Sequence, residues 1–307
     1  MIGRLLIAAS TALLVLAAGP GRAADAIGGS WSITPSGAPG TVQLQLVAGH
    51  STSSNPWKIA DLKGLDLAAG KRDVHFTVAR DAGRIDAEGV ANDDTAAGAF
   101  RFTPAPDYAE ALAKLRLGGL NDHSQLAYAV QDVSLDFARS MVEAGIGGLD
   151  ADTLLAFRIH GIDAEFVKAV RAAGAKAGEA GTLTAFAIHG VSPAFIRSFG
   201  ALGLAPSDEQ LIALKIHGAT PDWATRLAAL GYQHTEADQL IAFRIHGVTP
   251  EFIEALRPLG YPHPAPEQLV AMRIHNVTPD YIAGLEAHGM KDMTLDQLVA
   301  MRIHGID

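Results

Sequence analysis

The chain has 307 residues, 49% of them hydrophobic and 19% charged, with a formal charge of −9 and no cysteine. That length and balance describe a globular protein with a core to bury and exclude a disordered chain. Its 24 basic residues are dispersed among 33 acidic ones, which excludes the concentrated cationic face that nucleic acid or an anionic membrane requires.

The first stretch, MIGRLLIAASTALLVLAAGPGRAADA, places Arg4 before an apolar run from Leu5 to Ala18, then Gly19 and Pro20, then small residues from Ala23 to Ala26. This pattern predicts a secretory signal peptide over residues 1–26, and its apolar run is short for a bilayer span. The expected localisation is export, to the periplasm first and to the medium second. Without cysteine the exported chain has neither disulfides nor an N-terminal lipidated Cys, so its stability must come from packing. No other segment has spanning length, and the mature chain is expected to be soluble.

From 27 to 103 the hydrophobic period is two. Val42, Leu44 and Leu46 alternate with Gln43 and Gln45, Val74, Phe76 and Val78 with His75 and Thr77, and Phe100 and Phe102 flank Arg101. These are half-buried strands. RDAGR at 80–84 predicts a hairpin loop with Gly83 at positive φ, and ANDDTAAG at 91–98 a second turn. The expectation is a small antiparallel β-sandwich or open barrel with Trp31 and Trp57 in its core.

After Pro104 the chain repeats itself every 29 residues, with one copy of 28, seven times over 104–307. Aromatics recur at Tyr108, Phe137, Phe166, Phe195, Trp223, Phe252 and Tyr281, and alanine at Ala127, Ala156, Ala185, Ala213, Ala242, Ala271 and Ala300. Each copy reads as two short helices. In VTPEFIEALRPLG, Thr249 is the N-cap, Pro250 fills the first helical position and Val248 staples onto Ile253. A glycine ends the first helix, and capping boxes such as Ser207 with Gln210 and Thr294 with Gln297 open the second. A two-helix unit of this size cannot bury its apolar face alone, so a right-handed α-solenoid or a compact superhelical array is expected. The alanine row, with Leu112, Leu227, Leu256, Leu285 and their equivalents, is the expected core. The absent residue of the short copy falls in the loop between Gly203 and Leu211.

The second helix of each later copy closes on His160, His189, His217, His246, His275 or His304, each followed by Gly or, once, Asn276. Residues that tolerate left-handed backbone mark a helix end, so these histidines are expected to be structural C-caps, free to donate to a terminal carbonyl or complement the dipole. A metal ladder is the rival reading. Helices about 8–10 Å apart hold neighbouring imidazoles too far apart for zinc bonds of roughly 2.0–2.1 Å, and Gln131 replaces the first histidine. Two residues upstream lie Arg158, Lys215, Arg244, Arg273 and Arg302, interrupted by Ala187. They serve either as dipole partners and a solvated face or as a basic row for a carboxylate-bearing partner.

Motifs for metalloproteases, serine hydrolases, phosphate loops and cysteine nucleophiles are absent. Asn92, Asp93 and Asp94 lack EF-hand spacing, and His50, His75, His123, His234, His263 and His288 share no pattern. No catalytic residue, cofactor or metal is expected.

RIHGVTPEFI at 244–253 and MRIHNVTPDYI at 272–282 resemble helical repeats of uncharacterised exported bacterial proteins and of the extracytoplasmic tails of membrane zinc peptidases of the beta-lactam-sensing-receptor type. VHFTVARDAGRIDAEG followed by GAFRFTPAPDYAEAL is similar to the β-module that precedes such repeats. The resemblance implies an exported sensing or interaction module, and because the peptidase domain is missing it carries over no catalytic residue. The leading expectation is therefore a non-enzymatic scaffold for a protein or peptide partner. The alternatives are a small-ligand or glycan binder, with a pocket near Trp57 or His75 or at the junction with the repeats, and a protein that self-assembles through an uncapped C-terminal repeat.

Overall fold

The structure, a computed structural model, describes residues 26–233 and 235–306. The expected signal peptide falls on residues outside the described ones up to position 25, as do His234, Asp307 and the side chains of Asp122 and His123. The chain is α+β, an antiparallel sheet followed by helical repeats. It forms two compact units, 26–78 with 85–104, and 79–84 with 105–306.

Strands β1 (Ile27–Pro35), β2 (Thr41–Ala48), β3 (Ser51–Lys58), β4 (Lys71–Arg80), β5 (Gly83–Asn92) and β6 (Thr95–Pro104) make one sheet in the order β3-β2-β1-β6-β5-β4. One sheet, rather than two stacked ones, leaves the open barrel of the two forms expected. Three strand intervals separate β1 from β4, about 14 Å if the sheet were flat. Yet the rings of Trp31 and Phe76 lie 4.9 Å apart, edge to face, so the sheet curls around them. Curling brings backbones together where side chains are missing: a Cβ on Gly98 would fall 1.9 Å from the Glu88 carbonyl oxygen. The Trp31 indole N–H donates to the carbonyls of Glu88 and Ala99, at 3.1 and 3.0 Å, so its one polar atom is satisfied inside the core. Phe76, Phe100 and Phe102 are buried, and His75 and Arg101 face outward, as period-two alternation requires.

The helices are α1 (Pro106–Lys114), α2 (Asp122–Val130), α3 (Leu135–Glu143), α4 (Ala151–His160), α5 (Ala164–Ala172), α6 (Ala180–His189), α7 (Pro193–Gly200), α8 (Asp208–Ile216), α9 (Pro221–Leu227), α10 (Ala237–His246), α11 (Pro250–Leu256), α12 (Pro266–Ile274), α13 (Pro279–Ala287) and α14 (Leu295–Ile303). Even-numbered helices pack on even-numbered neighbours from α4 to α14, and odd on odd through α5, α7, α9, α11 and α13. The result is two layers in which a repeat touches mainly the next one, the quasi-one-dimensional logic of repeat proteins.

Local chemistry fixes these helices at both ends. Ser134, Asp163, Ser192, Thr220, Thr249 and Thr278 each accept from the amide of the recurrent aromatic three residues on, so the N-cap repeats with the aromatic. At the other end, the N–H of Ile162, Val191, Ala219, Val248 and Val277 reaches back to Phe157, Phe186, Leu214, Phe243 and Met272, each at 2.8 Å. That is a Schellman closure through a left-handed residue. The same residue that closes one helix is the staple of the next: Val248 and Ile253 are both fully buried. In the second unit the buried Gln125 amide donates to the carbonyls of Ala82 and Ala105, at 2.7 and 2.8 Å.

The core differs from expectation at one row. Ala156, Ala185, Ala213, Ala242 and Ala271 are half-exposed, and the buried residue is the next one along: Phe157, Phe186, Leu214, Phe243 and Met272. Ala156 and Ala185 line the groove between α4 and α6, where a small side chain permits close approach. The residues four after each aromatic are buried as expected, including Leu112, Met141, Phe199 and Leu256.

Candidate interaction surface

Helical geometry makes one row of this sequence anomalous. In α10 the buried residues are Ala237, Leu240 and Phe243, a stripe spaced by three. Ile245 lies two residues beyond Phe243, about 200° around a helix of 3.6 residues per turn, and so points away from the core. Its equivalents do the same: Ile159, Ile188, Ile216, Ile245, Ile274 and Ile303 are 52–57% exposed. The even-helix layer therefore presents an isoleucine at the same place in six successive copies, spaced by roughly 8–10 Å from one helix to the next. Single surface leucines and isoleucines are ordinary, whereas here the same exposed isoleucine recurs at one place in six successive copies. Sequence reasoning missed this row because its attention went to the neighbouring histidines. The signal was an apolar residue repeated off the core stripe.

Between α4 and α6 this face opens into a groove of about 450 Å³, lined by Asp152, Ala156, Gly181, Thr184, Ile188 and His189. It exists because this copy is built differently. Gly181 occupies the position of Asp152, Glu209, Asp238, Glu267 and Asp296, and Thr184 that of Leu155, Ile212, Ile241, Val270 and Val299.

The basic row is engaged inside the chain. The Arg158 guanidinium lies 5.1 Å over the Phe137 ring, Arg244 5.2 Å over Trp223, Arg273 5.1 Å over Phe252 and Arg302 4.7 Å over Tyr281, and the Lys215 ammonium lies 4.8 Å over Phe195. The arginines also donate Nε–H to the carbonyl that ends the preceding even helix, Arg158 to Gln131 at 3.0 Å, Arg244 to His217 at 3.1 Å and Arg273 to His246 at 3.4 Å. One guanidinium thus joins its own helix, the odd helix before it and the even helix before that. Cation–π attraction and a charge-assisted bond to a negative helix end act together.

The histidines stand where their helices end. Gly161, Gly190, Gly218, Gly247 and Gly305 follow them at φ of 68–72°, and Asn276 at 54°. The carbonyl that imidazole was expected to serve is taken, for His217 and His246, by the next arginine. Capping in those copies is done by the guanidinium, because a fork on a four-bond stem reaches across the repeat boundary. Among the described residues no group of three or more His, Asp and Glu is arranged to hold a metal ion. The Asp93 carboxylate accepts from the Gly70 N–H at 2.9 Å, and the His263 ring lies tilted against Tyr232 at 4.7 Å. Burial pushes the Tyr232 hydroxyl up to about 12, and it donates to the Pro264 carbonyl at 2.7 Å, tying that copy to the next.

In the β-unit, Trp57 is buried, whereas His75 is exposed between the buried Val74 and Phe76. Trp57 pairs with the buried Val42 and shares its inward face, whereas His75 points to the other face, so Trp57 and His75 do not converge on one pocket. Among the described residues no helix is long and apolar enough to cross a membrane. No protein-family model matches the chain, and no curated protein matches it.

Proposed function

We propose that the protein is an exported, non-enzymatic binding scaffold that recognises a polypeptide partner with the isoleucine face of its even helices. The observation that carries this reading is the six isoleucines, each more than half exposed at a position the fold leaves unused. A polar residue there would cost the helix nothing, since exposed sites away from special features tolerate substitution within about 0.5 kcal/mol. Burying the remaining half of one isoleucine is worth about 1–1.5 kcal/mol, half of the value for a whole side chain, so a partner covering several of them gains binding energy from a row of small equal steps. Solenoid surfaces commonly work in this way, and the resemblance to exported sensing modules points in the same direction.

The test is the triple variant Ile216→Glu, Ile245→Glu and Ile274→Glu. Circular dichroism and Tm should match wild type within about 2 °C, while partner recovered from periplasmic extract on the immobilised protein drops at least tenfold. Unchanged recovery by a folded triple variant rejects the reading. Concentration-dependent mass in light scattering that the variant abolishes would instead identify a second copy as the occupant.

A further inference from the structure

One copy lacks the arginine clamp. Ala187 stands on α6 where the other later copies carry Arg158, Lys215, Arg244, Arg273 and Arg302. The ring it leaves uncovered is Phe166 on α5, half-buried, and the carbonyl it leaves without its usual donor is that of His160, at the end of α4. Neither residue has another polar or ring partner among the described residues for those groups. The space is open as well. A Cβ built on Gly218 would lie 2.9 Å from Nη2 of Arg244, one on Gly247 3.1 Å from Nη2 of Arg273, and one on Gly190 3.6 Å from Cε of Lys215. At Gly161 the same construction meets nothing within 4 Å.

The charge of this copy is also different. Its N-cap is Asp163, which accepts from the Phe166 amide at 2.7 Å, where the other copies use Ser134, Ser192, Thr220, Thr249 and Thr278. The slot therefore has an aromatic face, a negative helix terminus and the Asp163 carboxylate at the start of the same helix as its ring, and the rest of the repeat array shows what such a slot accepts. The first copy also has alanine there, Ala129, but its ring, Tyr108, is fully buried with its hydroxyl on the Val133 carbonyl, so it offers no such slot.

We infer that the slot between α4, α5 and α6 is a binding site for an arginine side chain of the partner polypeptide, which occupies the place that Arg158, Arg244 and Arg273 occupy in their own copies. Its guanidinium stacks on Phe166, donates to the His160 carbonyl and faces Asp163. Arginine is favoured over lysine because a planar fork makes the stack and the directed N–H bond at once. The occupant rests on the reading of a polypeptide partner; the cation slot itself rests on geometry alone.

The full chain is titrated with acetyl-argininamide, and with acetyl-citrullinamide as the neutral isostere, while the Gly161 amide and Phe166 ring resonances are followed by NMR. Saturable shifts are expected with the arginine compound, with Kd on the order of millimolar for so small a ligand, and none with citrulline. Ala187→Arg should abolish them and raise Tm by about 2–4 °C by completing the clamp. Asp163→Ser, which keeps a cap used in other copies, should weaken binding severalfold. Acetyl-Ala-Arg-Ala-amide should bind at least as well as the single residue. Equal shifts with citrulline, or shifts that persist in Ala187→Arg, would each overturn the site, and binding of acetyl-argininamide without binding of the capped tripeptide would overturn the polypeptide occupant. A silent isoleucine face with a responsive slot would reject the polypeptide reading and leave the cation slot standing.

Discussion

Replacing Arg244 by alanine tests the clamp on which the stacking of repeats is argued to depend. Arg244 lies 5.2 Å over Trp223 and donates Nε–H to the His217 carbonyl at 3.1 Å. At a partly exposed site the stack is worth about 0.5–1 kcal/mol, the dipole about 0.3–1, and a hydrogen bond from a charged donor about 1.5 at its lower end. Allowing for solvent screening, the loss is about 2 kcal/mol. The helical unit has about 200 residues, and 1 kcal/mol shifts Tm by about 2–4 °C at that size, so Tm should fall by about 4–8 °C. Arg244→Lys keeps the cation over the ring and loses the directed bond, and should fall about half as far. Because the lost contact lies between copies, urea unfolding should also broaden as neighbouring repeats uncouple, and amide exchange should quicken at Gly218 and Ala219. A drop under 1 °C, with unchanged exchange there, would show the row to be a solvated face with no role in stacking.

Asp208 is buried and its carboxylate accepts from the amides of Lys176 and Ala177, at 3.0 and 2.7 Å; Asp208→Ala should cost about 2 kcal/mol in urea titration by leaving two amides of that loop unpaired. Tyr232 has its hydroxyl pushed up to about 12 by burial, above the ordinary value near 10. Its contribution is therefore complete below pH ~10 and lost as pH rises toward 12. A pH series of Tm in that window should fall less steeply for Tyr232→Phe than for wild type. His275→Gln should change Tm by under about 2 °C and leave the zinc content of the purified protein unchanged by atomic absorption; stoichiometric zinc lost in the variant would reopen the metal reading.

Much of the helical region was legible because its determinants are local. Thr249, Pro250 and Val248 with Ile253 mark a helix start within six residues, and a glycine or Asn276 marks the end. Seven copies in register then place each pair beside the next. The form of the β-unit was less legible, since period two fixes which side chains face in, and curling depends on contacts between strands far apart in sequence, such as Trp31 with Phe76. The alanine row was misplaced for a related reason. Alanine and its neighbour Phe243 are one residue, about 100°, apart on a helix, and only the packed layers decide which of them faces the core. The clamp was half visible: Arg244 was placed at a helix end by its position, but its partners, Trp223 and His217, are 21 and 27 residues away. The isoleucine row needed no structure, only the observation that Ile245 breaks the stripe of Leu240 and Phe243.

The most direct test of the isoleucine face is site-specific photo-crosslinking in periplasmic extract. A photoreactive phenylalanine analogue at Ile245 should give a discrete polypeptide adduct that disappears when Ile216 and Ile274 are changed to glutamate, while the same probe at the exposed Lys168 of the odd layer gives none. The same products from both positions, or no adduct at 245, would contradict the account.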